Sequence, residues 1–439
     1  MRKWMRLPVL CLVLSAPLAA EIRSLTILHT NDLHARLSPL ENGRGGFAYL
    51  ASVIRHERAG CHDCILLNAG DLVQGSPVSS IFQGMPIYEI ANLLGFDAAT
   101  LGNHEFDYGW AQVRKFMQTA GYPIVTSNLV NAAGQTFTPK PYVVLRVNGL
   151  RVAVIGALTN DLANLAAPKS LGEWRTAPLM QTARLCAARV RPDADLIVLL
   201  GHITEKEEIE LLNGAPEIPV LVTGHLHDGL SEPSEHDHRV LVRVKGYAQE
   251  LGRLELKVDT ERKAPVSWNW KRIPVDSTKV QPASDVAVQV QHWESEVAAR
   301  VDRPLAVSRR AYTKAQVKTL IERALCDETG ADFAFMNAGG VRDSLPKGQL
   351  LERHIWDIMP FDNTVVVGRF KGRDLPPVVR EGRKIDLDRE YTLAVSDFTA
   401  ANQGTAENLR TTGLQFPKEV GPMRDLLIDW FREKKVIGE

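Results

Sequence analysis

The stretch Leu25-Thr26-Ile27-Leu28-His29-Thr30-Asn31-Asp32-Leu33-His34 decides the fold class. Its first half, Leu25 to His29, is a short β-rich run. It gives way at once to polar residues, so the side chains able to do chemistry stand where a strand ends. The same texture recurs in Ile65 to Asn68, Ala99 to Leu101, Ile124 to Ser127, Val152 to Ile155, Leu196 to Leu200 and Val220 to Val222. Helical stretches separate these runs, and His, Asp or Asn stands at their C-terminal ends. Alternation of this kind predicts an α/β domain, whose ligands bind at the carboxyl ends of strands.

After Gly224 the pattern changes to β runs at Val240 to Lys245, Leu251 to Val258 and Val266 to Ile273. A stretch with Pro and Ser, Val275 to Ser284, leads into an expected helix from Val286 to Arg300. Beyond Pro304 the chain has its own helix, Thr313 to Cys326, strands near Phe333 to Met336 and Thr364 to Arg369, and a last amphipathic helix, Pro422 to Lys434. The expected division is therefore a domain over 21–274, a connector with its helix over 275–303, and a smaller α/β domain over 304–439.

The full chain has 439 residues, 52 Lys and Arg against 52 Asp and Glu, and 45% hydrophobic residues. That balance argues against a disordered tail, a coiled coil or a basic platform for nucleic acid, and it favours an enzyme acting on small molecules. At the N-terminus Arg2, Lys3 and Arg6 precede the apolar run Leu7 to Leu14, which is too short to span a bilayer. Residues 1–20 read as a signal peptide cut after Ala20, giving a periplasmic or secreted protein with no stable membrane anchor. Cys61, Cys64, Cys186 and Cys326 then remain, an even number in an oxidising compartment. A local Cys61–Cys64 disulfide, or pairing of these cysteines elsewhere, is expected over a zinc or redox site, because no second CxxC and no thioredoxin-like context accompanies them.

Five short segments concentrate the chemistry: Asn31-Asp32-Leu33-His34, Asn68-Ala69-Gly70-Asp71, Gly102-Asn103-His104-Glu105-Phe106-Asp107, Gly201-His202 and Gly224-His225-Leu226-His227. Singly, each is as well explained by a capping Asp or a hydrogen-bonded His. Together, in order and each at a strand end, they suit two divalent ions sharing a carboxylate. Asp32 and His34, and likewise His225 and His227, stand two apart and point to one side. By contrast, His29 reads as packed within its strand, Glu105 as structural, and His236 and His238 as parts of a solvated turn.

This order resembles the metallophosphoesterase superfamily, and the spelling Ile27 to His34 followed by Leu101 to Asp107 is similar to its 5′-nucleotidase branch. The resemblance implies a four-layer αββα calcineurin-like metallophosphoesterase domain followed by a 5′-nucleotidase C-terminal domain. It implies one metal on Asp32, His34, Asp71 and His227, and a second on Asp71, Asn103, His202 and His225. His104 becomes the non-ligand histidine near the leaving group, oriented by Asp107. Two ions about 3.5–4 Å apart lower the pKa of a bridging water and clamp phosphoryl oxygens for in-line attack by hydroxide. Nitrogen and oxygen ligands suit Zn, Mn, Co or Fe without selecting one.

The expected substrate is a small phosphate ester, a nucleoside 5′-monophosphate before others, and not a nucleic acid polymer. In the second domain, Asn337-Ala338-Gly339-Gly340-Val341-Arg342 combines glycines that admit close backbone approach with a planar fork for phosphate. The resemblance implies that Arg342 binds phosphate, that Phe361 and Phe398 sandwich a base, and that Asn363 makes a polar contact to it. After Phe398 the family continues with a Gly-Gly-Asp-Gly-Tyr run that carries the ribose-contacting carboxylate. Here the chain reads Asn402-Gln403-Gly404-Thr405-Ala406, leaving Gly404 at the ungapped position. Hydrolysis of a nucleotide sugar, a 2′,3′-cyclic nucleotide or a sulfur compound are the alternative activities, and a non-catalytic nucleotide-binding protein is the alternative class.

Overall fold

The structure is a computed structural model that describes residues 21–438, so the expected signal peptide lies outside the described residues. The opening strand, Ile22–Thr30, is the middle of a five-stranded sheet. It pairs parallel to Cys64–Asn68 and antiparallel to Glu250–Asp259, with Ala98–Ala99 and Ala264–Pro274 at the edges. A second sheet runs Ser234–His236, Arg239–Val242, Val220–Gly224, Leu196–His202, Leu150–Leu158, Tyr142–Val147.

Period-two alternation explains how the sheets stack. Leu25 and Ile27 point one way, into a core with Leu67, Val152, Val198, Val222 and Leu254 of both sheets, all fully buried. Leu28 points the other way, toward Leu50, Ile54, Val113 and Phe116 of the helices Phe47–Ala59 and Trp110–Thr119. On the far side Leu199 and Leu221 meet Ala183, Ala187 and Leu211 of Leu179–Val190 and Glu205–Gly214. The result is the expected αββα stack. Each side chain buried this way contributes about 1.5–3 kcal/mol.

Two segments differ from the sequence reading. Ile124 to Ser127 forms no strand: Val125 N–H donates to Ala99 O in one sheet (2.9 Å) and Ser127 N–H to Gly156 O in the other (2.8 Å). The segment ties the sheets together, a role its β-rich composition does not distinguish from membership in one. Conversely, Tyr142–Val147 is a strand that pairs with Leu150–Leu158 across Asn148-Gly149, both at positive φ (48° and 71°). Asn-Gly at such a hairpin is a turn signal present in the sequence.

The helix Ser284–Val301 packs into the first core through Val286 and Val297. After it come a three-stranded sheet (Gly348–Leu351, Pro304–Ser308, Val436–Ile437) and a four-stranded one (Phe333–Ala334, Glu390–Ser396, Thr364–Lys371, Lys418–Pro422). Helices Lys314–Thr329 and Met423–Lys434 cover them over Val317, Ile321, Met336, Leu427 and Phe431. The first of these helices runs three residues past Cys326, because its stop is Gly330 in a left-handed cap (φ 69°).

Polar contacts dock the C-terminal part onto the rest. Arg36 Nη2 donates to Asp343 Oδ2 (2.6 Å), Ser80 Oγ donates to Pro360 O (2.8 Å), and Arg353 bridges Glu294 and Asp302. Asp357 lies half-buried beside this seam. Burial raises its carboxyl to about 7, with Arg36 opposing the shift and Asp343 adding to it. A carboxyl whose folded pKa is raised favours the fold while protonated and loses that contribution as pH rises from about 4 toward 7. Asp357→Asn is therefore expected to raise Tm at pH 8 and to match the wild type at pH 4. A pH-independent Tm difference in thermal melts would refute this.

Candidate metal centre

The five polar segments converge at the carboxyl ends of the strands. The ladder continues past Thr30: Asp32 N–H donates to Gly70 O and His34 N–H to Asp71 O, both at 3.0 Å. To turn inward there, the backbone adopts left-handed conformations at Asp32 (φ 51°), His34 (48°), Asp71 (53°), His225 (91°) and His227 (59°). Such positions cost on the order of 1–3 kcal/mol each and cluster at functional sites. Glycine makes the close approach possible: a Cβ on Gly102 would lie 2.6 Å from the Asp71 backbone nitrogen.

Ligand atoms of Asp32, His34, Asp71 and His227 all lie within 4.8 Å of one another. His34 Nε2 faces His227 Nε2 at 2.9 Å, and Asp32 Oδ1 lies 3.6 Å from the latter. Two imidazole nitrogens and two carboxylates meeting in a buried space are the donor set of a borderline divalent cation, so this cluster fits a metal site. On its other flank, Asp71 Oδ2 and Asn103 Oδ1 each lie 3.1 Å from His202 Nε2. His202 Nδ1–H donates to Ala69 O (2.8 Å), which directs Nε2 inward, and the His225 ring stacks edge-on 5.0 Å from it. Asp71 thus stands between the two groups.

Burial lowers His225 and His227 to about 3, and carries His34 well below its usual value. All three are neutral near pH 7, the form that binds metal. For His202 burial works downward too, but Asp71, joined by Asp32 and the Ala69 carbonyl, outweighs it and raises the imidazole to about 9. As a ligand His202 would have to be neutral, so holding a cation beside Asp71 would require loss of that proton.

His104 holds a different position. Its Nδ1 hydrogen-bonds Asp107 Oδ2 (2.8 Å), its backbone N–H donates to Asp71 Oδ1 (3.0 Å), and its ring packs 5.3 Å from His34. Burial would lower its pKa, but Asp107 and Asp71 outweigh burial and raise it. The other ring nitrogen, Nε2, takes no part in that pairing.

Two residues of the quoted segments support the ligands: Glu105, in the structural role read for it from the sequence, and Asn31. Glu105, fully buried, accepts backbone N–H bonds from Gly102 (2.5 Å), Leu72 (2.8 Å) and Asp71 (3.1 Å), fixing the loops that carry Asp71 and Asn103. Asn31 Nδ2 donates to Asp32 Oδ2 (2.7 Å) while its Oδ1 accepts from Val244 N–H (3.1 Å). Asn31 and Glu105 belong to the quoted segments, so adjacency to candidate ligands was a usable signal. His29 is packed, stacking on Trp270 at 5.3 Å, and His236 and Asp237-His238 form an exposed hairpin turn. Cys61 and Cys64 form a disulfide (Cα–Cα 5.7 Å), while Cys186 and Cys326 are free.

From the second sheet system, Arg342 Nη2 reaches within 3.5 Å of His34 Nε2, and Phe361 packs 6.0 Å from both the His104 ring and the Arg342 guanidinium. Arg342 has no carboxylate partner among the described residues, and its Nε is buried without a hydrogen bond. Asn337 Oδ1 is likewise buried and unpartnered. Phe398 is the second residue of the short helix Asp397–Ala401, and Asn363 O accepts from Met423 N–H (2.8 Å). Gly339 and Gly340 lie in a single helical turn, Ala338–Gly340. A Cβ on Gly339 would stand 3.4 Å from Oε2 of Glu407, a residue that no sequence pattern singled out.

Residues 25–229 match the calcineurin-like phosphoesterase family, and residues 294–381 match the 5′-nucleotidase C-terminal domain family. The chain is 25% identical over 457 residues to Endonuclease YhcR of Bacillus subtilis, covering 87% of this chain and only 37% of that protein. It is 24% identical over 452 residues to Protein UshA of Yersinia enterocolitica, with 89% and 82% covered. The solved structure of a 5′-nucleotidase precursor from Thermus thermophilus shares the fold, with a TM-score of 0.84, 20% identity, and 95% and 97% of the two chains covered. The strand-end cluster and the domain beside it thus have one common explanation: the chain belongs to the metallophosphoesterases that join a calcineurin-like phosphoesterase domain to a 5′-nucleotidase C-terminal domain.

Proposed function

We propose that the protein is an exported, dinuclear phosphohydrolase that releases phosphate from nucleoside 5′-monophosphates. The observation that carries this reading is the meeting of Arg342 with His34, 3.5 Å apart, which sets an unpaired guanidinium over the carboxylate–imidazole cluster. One ion is assigned to Asp32, His34, Asp71 and His227, the other to Asp71, Asn103, His202 and His225. When bound, the ions activate a water and polarise the phosphoryl oxygens. Arg342 grips the phosphate by its fork. His104, oriented by Asp107, delivers a proton to the departing oxygen from Nε2.

The base is assigned to Phe361 and Phe398, with Asn363 at its edge; stacking of this kind contributes about 1–3 kcal/mol per base. The Gly404 position lacks the carboxylate of the resembling family, and Glu407 supplies one from the same loop, beside Gly339 and Asn337. We assign the sugar hydroxyls to Glu407. Export is supported by the Cys61–Cys64 disulfide, a bond favoured in oxidising compartments. No helix among the described residues is long and apolar enough to cross a membrane.

A phosphate-release panel tests the whole reading: AMP, 2′-deoxy-AMP, UDP-glucose, 2′,3′-cyclic AMP and an aryl phosphate, each with added Mn or Zn. AMP is expected to be turned over best. Glu407→Ala is expected to raise the Michaelis constant for AMP about tenfold, the scale of one hydrogen bond to a charged group, and to erase discrimination against the deoxy form. An aryl phosphate handled as well as AMP would remove the base clamp, and silence across the panel would sink the phosphatase reading.

A further inference from the structure

Tyr247 has no place in the chemistry assigned above, yet it is stitched to both histidine-bearing loops. Its N–H donates to Asp32 O (2.6 Å), and the N–H of Gly246 donates to His227 O (3.1 Å). Its own backbone is left-handed (φ 60°). The phenol oxygen lies 3.1 Å from His227 Nδ1, and the ring lies 5.2 Å from both His34 and His227. On its outer side the Arg36 guanidinium sits 5.7 Å from the ring centroid while donating to Asp343 of the C-terminal domain at 2.6 Å.

We propose that Tyr247 is a positioning residue that selects the ligating nitrogen of His227, and that Arg36 and Asp343 couple domain docking to the ion held there. A neutral imidazole carries one N–H and one lone pair. His227 Nε2 faces His34 Nε2 across the cluster at 2.9 Å, so binding an ion through that atom requires the lone pair on Nε2 and the hydrogen on Nδ1. That hydrogen requires an acceptor, and the oxygen of Tyr247 is the one within reach. The opposite arrangement, the phenol donating to Nδ1, would turn an N–H toward the cation. Arg36 holds the face of the ring, and Asp343 holds Arg36, so undocking the second domain loosens the phenol and then His227.

The inference rests on the two-metal reading, and the test separates the two. Apo-protein is titrated with Zn²⁺ in competition with a chromophoric chelator. The wild type is expected to bind two ions; if it binds none, the metal reading and this inference fall together. Tyr247→Phe keeps the ring and removes the acceptor, and is expected to weaken one ion about 10–100-fold, the usual effect of losing such a support, while the other ion keeps its affinity. A merely structural defect would weaken both. Asp343→Asn, at a residue that bonds to Arg36 and to no proposed ligand, is expected to weaken the same ion several-fold. Two ions in the wild type with unchanged zinc affinity in both variants would overturn the inference.

Discussion

His104→Ala is expected to lower kcat by about 10²–10⁴-fold, the range for removing a general acid, while the purified protein keeps its metal. His104 lies at the centre but is turned from the ligand cluster by its Nδ1 bond to Asp107 (2.8 Å) and placed by its backbone bond to Asp71. Removing the ring deletes a proton donor without deleting a ligand. The effect should fall with the leaving group: an activated aryl phosphate, whose departing oxygen needs less protonation, should lose less than AMP. Wild-type turnover of AMP by the variant, measured as phosphate release, would refute the role.

Asp71→Ala is expected to do more. Asp71 lies between the two ligand groups, 3.1 Å from His202 and 3.8 Å from His34, and it is the acid toward which both flanks converge. Without it the two proposed cations would share no charge-balancing carboxylate, and His202 loses the partner that raises its pKa. Metal content should fall from roughly two ions per chain to one or none, and phosphate release should drop below that of His104→Ala. Because Glu105 binds the backbone at this position and not the side chain, the loop should keep its course. Retention of two ions by elemental analysis would show that Asp71 does not bridge.

Much of this was readable in the sequence because the first domain keeps its candidate ligands beside their strands. Asp32 and His34 follow a strand directly, and His225 and His227 follow another, so their place at strand ends located them without tertiary information; the left-handed turns that carry them, not a strand period of two, set where their side chains go. Tyr247 and Arg36 were not legible. One stands 20 residues beyond His227, the other two beyond His34, and neither residue type is rare; only the turn that stitches Gly246-Tyr247 to Asp32 gives them a task. Glu407 was hidden for another reason. A contact from a loop depends on the loop's path, and an ungapped comparison could see only Gly404. Ile124 to Ser127 illustrates the limit for the fold: β-rich composition reports a half-buried extended segment, not which sheet takes its hydrogen bonds.

The five left-handed residues at the centre have a consequence for how such a site changes over time. Their addresses are set by backbone hydrogen bonds and by glycines with no room for a Cβ, not by the side chains that face the pocket. An exchange of one donor for another, Asn103 for Asp or a histidine for a glutamate, alters metal preference while leaving the scaffold in register. Insertion or deletion of a single residue in any of these turns displaces the donors which that turn carries and forfeits the conformation that the strain supports. Drift in ion choice is therefore open to this architecture through point substitution, whereas drift in loop length is closed.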